Sequence, residues 1–378
     1  MKLIHLSDLH LGKRLNGSSL LEDQAYILNE ILSVIDDEKP DAVLIAGDVY
    51  DRATPAAEAV RLCDEFLVQL SKRGLRVVVI SGNHDSAERL AFGARLMEGS
   101  GVTLAPVFDG SVTPVTLSDA FGEVFIWPLP FLRRTQVQRW FPDTPLTTET
   151  AAIAAVIADM HPDETARNVL IAHQFVTGAQ QCDSEELQVG TADSVDASVF
   201  DAFDYVALGH LHGPQSVGRE TVRYCGTPLK YSFSEKDHEK SVTVVVLGEK
   251  GDVTVRTVPL TPMHEMRQLR GSYDALTLRA NYAGTATDDY LRIVLTDEQD
   301  VPDAMSRLRM IYPNIMELGY DNTRTRTEAE LLPIDMTQRR TELELFLEFY
   351  FLQNGQEMSP EQSDFAARLL REIKEEEA

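Results

Sequence analysis

Five short apolar runs constrain this chain more than any other feature, because each leads into a polar motif of the metal-binding kind. Residues 2–7 (KLIHLS) lead to Asp8-Leu9-His10, Asp41–Ala46 to Gly47-Asp48, and Arg76–Ile80 to Gly82-Asn83-His84-Asp85. The run ending at Ala172 leads to His173, and the run ending at Leu208 leads to Gly209-His210-Leu211-His212. Runs of this length suit buried strands, and α/β folds gather ligands where such strands end. Each motif alone has an ordinary explanation: Asp8 and His10 a surface loop, Asp48 a helix cap, Asn83 a side-chain turn. As an ordered set they supply two carboxylates, one amide oxygen and four ligand imidazoles, with His84 left over. That inventory suits two divalent ions sharing one carboxylate, a pair that hydrolyses phosphate esters.

Spacing supports the set. Asp8 and His10 are two apart on an extended segment, as are His210 and His212, so each pair can reach one ion. Imidazole donors suit manganese, iron or zinc. His5, His161, His238 and His264 stand alone and are given no role; His5 alternates with apolar residues and reads as structural.

Between the runs, Ile27, Leu28, Ile31, Leu32 and Ile35 recur at helical spacing, and a helix from Pro55 turns Val60, Phe66, Leu67 and Leu70 inward. Strands alternating with helices predict an α/β core, largely parallel in its first half. Residues 215–258 read as antiparallel strands. A break at Thr261-Pro262 ends a first domain at residues 1–262. Residues 265–325, with a strand at Tyr290–Leu295 and a helix over Val301–Tyr312, predict a small α+β domain. Residues 337–378 read as a helical tail. Its first helix carries two apolar stripes, Leu343, Phe346, Leu347 and Tyr350 on one side and Leu345, Phe349 and Leu352 on another. Asn354-Gly355 ends it, Ser359-Pro360-Glu361-Gln362 opens a second helix as a capping box, and Phe365, Leu369 and Ile373 give that helix an apolar face.

A net charge of -25 argues against strong nucleic-acid binding by the bare chain, since phosphate contacts need Lys and Arg. It does not exclude a nucleic-acid substrate, because two divalent ions or a basic partner would supply positive charge. Arg133, Arg134 and Arg139 with Trp140 form the one basic-aromatic cluster, readable as a solvated loop or as a DNA-facing one. Three well-separated cysteines (Cys63, Cys182, Cys225) predict buried thiols in a reducing cytoplasm. No apolar run is long enough to cross a membrane, and MKLIHLSDLH does not read as a leader.

The order D-x-H, G-D, G-N-H-D, H, G-H-x-H resembles that of the calcineurin-like metallophosphoesterases. The longer strings HLSDLHLGK, GDVYDRATP, GNHDSAERL, GHLHGPQ and YCGTPLKYSFSE are similar to those of the SbcD branch, bacterial nuclease subunits that work with an SbcC ATPase. The resemblance implies a four-layer α/β/β/α sandwich, a small α+β capping domain and a C-terminal helical tail. It implies that Asp8, His10 and His212 hold one ion, that Asn83, His173 and His210 hold the other, and that Asp48 bridges them. His84 would contact the scissile phosphate and protonate the leaving oxygen, with Asp85 orienting its ring. Two divalent ions, manganese by preference, are the implied cofactors. The implied activity is exonuclease and endonuclease action on double-stranded DNA ends and hairpins, in DNA repair, recombination and replication. The implied assembly is a homodimer within a heterotetramer, the tail docking on the coiled coil of an SbcC-type ATPase. One departure is Asp51, where archaeal relatives tend to carry a histidine three residues after the bridging aspartate. Within YCGTPLKYSFSE, Lys230 is a candidate phosphate contact, although a plain Gly-Thr-Pro turn explains the string too. The rivals are a phosphoesterase for small diesters, whose chain should end near residue 260, and an inactive scaffold, which should have lost ligands.

Overall fold

A computed structural model of the chain describes residues 1–182, 185, 194–323 and 325, together with 343, 346, 347, 350, 358, 359, 362, 363 and 365–369. These form two compact units. One holds residues 1–268, 286–292 and 312–317, and the other holds 269–285, 293–311 and the chain from 318 onward.

Two six-stranded sheets build the first unit. In the first, the strands run in the order Val253–Pro259, Ser241–Leu247, Lys2–Leu6, Ala42–Ala46, Arg76–Ile80, Val102–Leu104. The last four are parallel, and Ser241–Leu247 pairs antiparallel with Lys2–Leu6. In the second, Gln215–Val217, Arg219–Tyr224, Tyr205–Gly209, Arg167–His173, Gly122–Leu129 and Val115–Asp119 follow one another. Its four inner strands are parallel. Residues 215–258 are therefore not one antiparallel block. Arg219–Tyr224 pairs antiparallel with Gln215–Val217 but parallel with Tyr205–Gly209. Ser241–Leu247 crosses to the first sheet.

Alternation explains the layers. Leu3, Leu44, Val78 and Ile80 of the first sheet meet Val124, Ile126, Val169 and Ile171 of the second in a shared core. The opposite faces carry Ile4, Val43, Ile45 and Val77, which pack on helix Leu21–Glu38 and helix Ala57–Lys72. On the second sheet, Leu170, Val206 and Leu208 pack on helix Glu149–Met160. Strands buried on both faces read as continuous apolar runs, which is why five of them stand out in the sequence. The arrangement is the expected α/β/β/α sandwich.

Ile27, Leu28, Ile31, Leu32 and Ile35 are all buried, as their spacing predicts. In the next helix the buried face is Ala59, Cys63, Phe66 and Leu70, while Val60 is 43% exposed. The predicted helix over 301–312 is reduced to Ala304–Leu308. Asp303 ahead of it has a left-handed φ of 53°, and Pro313 disfavours helical backbone just before it. Tyr290–Leu295 is a strand as expected, central in a three-stranded sheet with Met266–Gly271 and Ile315–Tyr320.

In the tail, Ser359 and Gln362 make the reciprocal capping-box bonds, at 2.9 and 3.3 Å. Leu343, Phe346, Leu347 and Tyr350 are helical. The expectations for Leu345, Phe349, Leu352, Asn354-Gly355 and Ile373 lie outside the described residues. Among the described residues no helix is long and apolar enough to cross a membrane.

Candidate metal centre

The five motifs meet where the parallel strands of both sheets end. Beyond Leu6 the backbone keeps pairing with the neighbouring loop: the N–H groups of Asp8, His10 and Leu11 donate to the carbonyls of Gly47, Asp48 and Val49, at 2.9–3.0 Å. The turn that follows is tight. Asp8, His10, Asp48 and His210 have φ of 51°, 43°, 48° and 107°, half of the eight non-glycine positive-φ residues among those described. Such backbone costs about 1–3 kcal/mol per residue and clusters at functional sites. Two glycines permit close approaches, Gly209 between the two sheets and Gly82 between two loops of the first sheet. A Cβ on Gly209 would lie 1.9 Å from the Ala46 carbonyl oxygen, and one on Gly82 would lie 2.1 Å from Asp48 Oδ1.

Asp48 is central. Its Oδ2 lies 3.4 Å from His173 Nε2, 3.7 Å from His10 Nε2 and 4.0 Å from His84 Nε2, while its Oδ1 accepts the His84 backbone N–H at 2.9 Å. On one side Asp8, His10 and His212 bring three ligand atoms within 4.8 Å of one another. On the other, Asn83 Oδ1 is 3.0 Å from both His173 Nε2 and His210 Nδ1. The two groups match the two ligand sets that the resemblance implies, with Asp48 between them. His84 stands apart in exposure, its side chain 30% open against at most 4% for His10, His173, His210 and His212.

The donors fit cations. His10 is buried with neither ring nitrogen hydrogen-bonded, and His210 Nε2 is likewise buried without a partner. A buried polar atom left unpaired costs about 1–3 kcal/mol. His173 Nδ1–H donates to the Ala46 carbonyl at 2.8 Å, which turns the Nε2 lone pair toward the oxygens of Asp48 and Asn83. Three acceptors facing one another require a proton or a metal ion between them. The electrostatics agree. Burial alone would lower the His173 pKa, but the Asp48 carboxylate outweighs it and raises the pKa to about 9. Asp48 answers in kind: burial would raise it, yet His173 holds it well below the carboxylate range. Burial, with His173 adding to it, lowers His210 to about 3, and burial keeps His10 well below its ordinary value, so both rings are neutral and ready to bind. Asp8 is raised to about 6 by burial, with Asp48 pushing the same way against His173.

Around these ligands lies a supporting shell that sequence reasoning missed. His212 Nδ1–H donates to Glu235 Oε1 at 3.1 Å, which sets the orientation of the ring. Glu235 is fully buried, and its other oxygen pairs with the buried Lys240 ammonium at 2.6 Å. Lys240 also donates to the His212 carbonyl and to Thr227 Oγ1. A carboxylate behind a histidine in this way fixes the orientation and basicity of the ring, as it does for metal-binding histidines. Gln24 Nε2 donates to the His10 carbonyl at 2.7 Å, and Tyr231 Oη donates to the Leu9 carbonyl at 2.6 Å, so a helix and a distant loop clamp the first motif. Glu235 and Tyr231 lie inside YCGTPLKYSFSE, which was the available signal; Gln24 carried none.

Two expectations need correction. Asp85 does not orient the His84 ring. Its carboxylate accepts the backbone N–H groups of Val49, Tyr50 and Gly82 at 2.9–3.1 Å, and the contact of His84 Nδ1 is the Asp51 carbonyl at 3.1 Å. The aspartate therefore ties two ligand loops together. Lys230 is engaged by Glu265 Oε1 and the Lys236 carbonyl, both at 2.7 Å, which makes it a brace rather than a free phosphate contact.

Comparison with known proteins agrees with this geometry. Residues 1–214 match the model of the calcineurin-like phosphoesterases, and residues 262–354 match that of the Type 5 capsule protein repressor C-terminal domain. The chain is 33% identical over 384 residues to the SbcD subunit of the SbcCD nuclease of Staphylococcus epidermidis, covering 100% of both. It is 33% identical over 380 residues to the corresponding SbcCD nuclease subunit of Staphylococcus saprophyticus, covering 100% of this chain and 99% of the relative. The chain thus belongs to the calcineurin-like phosphoesterases, within their SbcD branch.

Proposed function

We propose that this chain is a dimetal-dependent DNA nuclease that acts on double-strand ends and hairpins together with an SbcC-type ATPase, in DNA repair and recombination. The observation that carries the reading is the convergence of six donor residues around a seventh, Asp48, beside one partly exposed histidine that the ions do not need. Asp8, His10 and His212 are assigned to one ion, Asn83, His173 and His210 to the other, and Asp48 to both. Manganese is the proposed metal. When bound, the two ions supply Lewis-acid activation of the phosphodiester and of the attacking water. The protein's own groups do the rest. His173 and His212 are held in one tautomer by Ala46 and Glu235, so their Nε2 atoms stay unprotonated when an ion is present. With Nδ1–H donating to the Asp51 carbonyl, His84 presents Nε2 to the site and can carry a proton to the departing sugar oxygen. Asp85 keeps the Asp48 and Asn83 loops in register.

The partners belong to the same reading. Phe92 and Leu96, each 86% exposed, offer apolar surface for a second copy of the chain. Phe346, Phe365 and Leu369 of the tail are 41–55% exposed, which favours a partner's surface over the chain's own core. The relatives are named for the SbcCD nuclease, and that name points to SbcC as the partner. Residues 265–325 are proposed as the cap, 337–378 as the docking tail, and a reducing cytoplasm as the compartment, in keeping with three free cysteines.

The test is linear and hairpin DNA incubated with the purified chain and manganese or magnesium, with and without the ATPase and ATP. Metal-dependent cleavage, stimulated at duplex ends by the ATPase, is the expected result. Hydrolysis of bis(p-nitrophenyl) phosphate without cleavage of any DNA would replace this reading with a phosphoesterase for small diesters.

A further inference from the structure

Beside the metal centre stands an aromatic ring that no part of the mechanism above uses. The Phe131 ring meets the His173 ring at 6.0 Å between centroids, nearly perpendicular at 87°. Its backbone is tied to the ligand loops at both ends: the Phe131 N–H donates to the Ser81 carbonyl at 2.9 Å, and the Leu132 carbonyl accepts from Gln174 Nε2 at 3.0 Å. Ser81 and Gln174 adjoin Gly82-Asn83 and His173, so the backbone that carries the ring is tied to the motif loops. Leu132 is buried behind it, whereas Phe131 is only half-buried. Phe175 stands 6.4 Å from His210, so both imidazoles on this side of the centre have a phenyl ring beside them.

The segment is rich in arginine in an acidic protein, with the Glu149 carboxylate accepting the Arg134 backbone N–H at 2.8 Å. From Pro130 to Pro142 the chain has Arg133, Arg134 and Arg139 and no carboxylate, against a net charge of -25 overall. Arg134 braces the segment through the Leu146 carbonyl. Arg133 is exposed, and its guanidinium carbon lies 5.9 Å from the Phe131 ring centroid. Trp140, 51% exposed, closes the stretch.

We infer that Phe131 is the stacking platform for the nucleobase next to the scissile phosphate, and that Arg133 contacts the neighbouring backbone phosphate. The inference rests on the nuclease reading and names what selects a nucleic-acid strand over other diesters. The logic is geometric. A phosphodiester engaged at the ions carries a sugar and base within one nucleotide of them, and a rigid apolar face beside the ligands is what an unpaired base binds without regard to sequence. Arginine adds a planar cation that suits both ring face and phosphate. The plain alternative is that Phe131 only screens His173 from water.

The test walks a single abasic residue along an oligonucleotide and maps cleavage by the manganese-loaded full chain and by Phe131→Ala. In the unaltered protein, cleavage beside the abasic position should fall by about 5- to 150-fold, the equivalent of the roughly 1–3 kcal/mol that a stacked base contributes. In Phe131→Ala, cleavage of intact strands should fall by a similar factor and the abasic dip should vanish, with manganese content unchanged. Arg133→Ala should weaken strand binding and flatten its salt dependence while keeping the dip. A dip that persists in full in Phe131→Ala, or a variant that loses its manganese, would overturn the inference in favour of a screening role. Cleavage of bis(p-nitrophenyl) phosphate but of no oligonucleotide would instead remove the nuclease reading and this inference with it.

Discussion

Glu235→Gln should separate two functions of one buried carboxylate. Glu235 accepts from His212 Nδ1–H at 3.1 Å and neutralises the Lys240 ammonium at 2.6 Å, and both charged groups are almost fully buried. Burial would raise its pKa, but the His212 bond and Lys240 hold it well below the carboxylate range, so it is ionised throughout the neutral region. Glutamine keeps the shape and an oxygen for His212 but removes the charge. The ammonium of Lys240 is then left without its counter-ion, a loss of about 3–5 kcal/mol, or roughly 6–20 °C in Tm. Loss of the carboxylate behind His212 should weaken ion binding by about 10- to 100-fold. The double variant Glu235→Gln with Lys240→Met removes the orphaned ammonium. It should regain most of the Tm measured in EDTA without regaining metal affinity measured by calorimetric titration. Wild-type metal affinity in the single variant would refute the orienting role. Affinity that returns together with Tm in the double variant would show that Glu235 acts through stability alone.

Three further outcomes follow from the same structure. His173, raised to about 9 without an ion, must lose its proton to bind one, so metal affinity should rise with pH up to about 9, with proton release per ion read from titrations in buffers of different ionisation enthalpy; a pH-independent affinity between 7 and 9 would contradict this. Gly82→Ala places a methyl group on Asp48 Oδ1, so metal binding should be lost while far-UV circular dichroism stays native, and full metal occupancy in the variant would contradict the close approach. His5 is lowered to about 3 by burial, with Arg223 adding to it, so the unfolded chain takes up its proton first as pH falls below 6.5 and stability drops through that window. The 1.5 units from pH 6.5 to 5 correspond to about 2 kcal/mol, and His5→Leu should lower the pH 7-to-5 difference in urea unfolding by about that amount, whereas an unchanged difference would contradict the assignment.

What was legible in the sequence was local. Asp8, His10, Asp48, Asn83, His210 and His212 lie within a few residues of the apolar runs that carry them, so strand ends alone announce them. The sandwich was legible too, because strands buried on both faces leave uninterrupted apolar runs. Residues that reach the site from elsewhere were not. Gln24 comes from a helix and Glu235 from the short 3-10 turn Phe233–Glu235 between strands, and a buried polar residue carries no periodic signature of its own. The role of Asp85 is hidden for a related reason: its partners are backbone N–H groups, whose directions depend on the turn at Asp48 and not on residue identity. The helix over 301–312 is shorter than its apolar spacing suggests because spacing takes no account of the left-handed Asp303.

The central claim is that Asp48 lies between two ions. Anomalous scattering from manganese-loaded crystals tests it most directly by counting and locating them. The account predicts two peaks about 3.5–4 Å apart, one among Asp8, His10 and His212 and the other among Asn83, His173 and His210, each within bonding distance of Asp48. A single peak at full occupancy, or a pair that Asp48 does not touch, would contradict it.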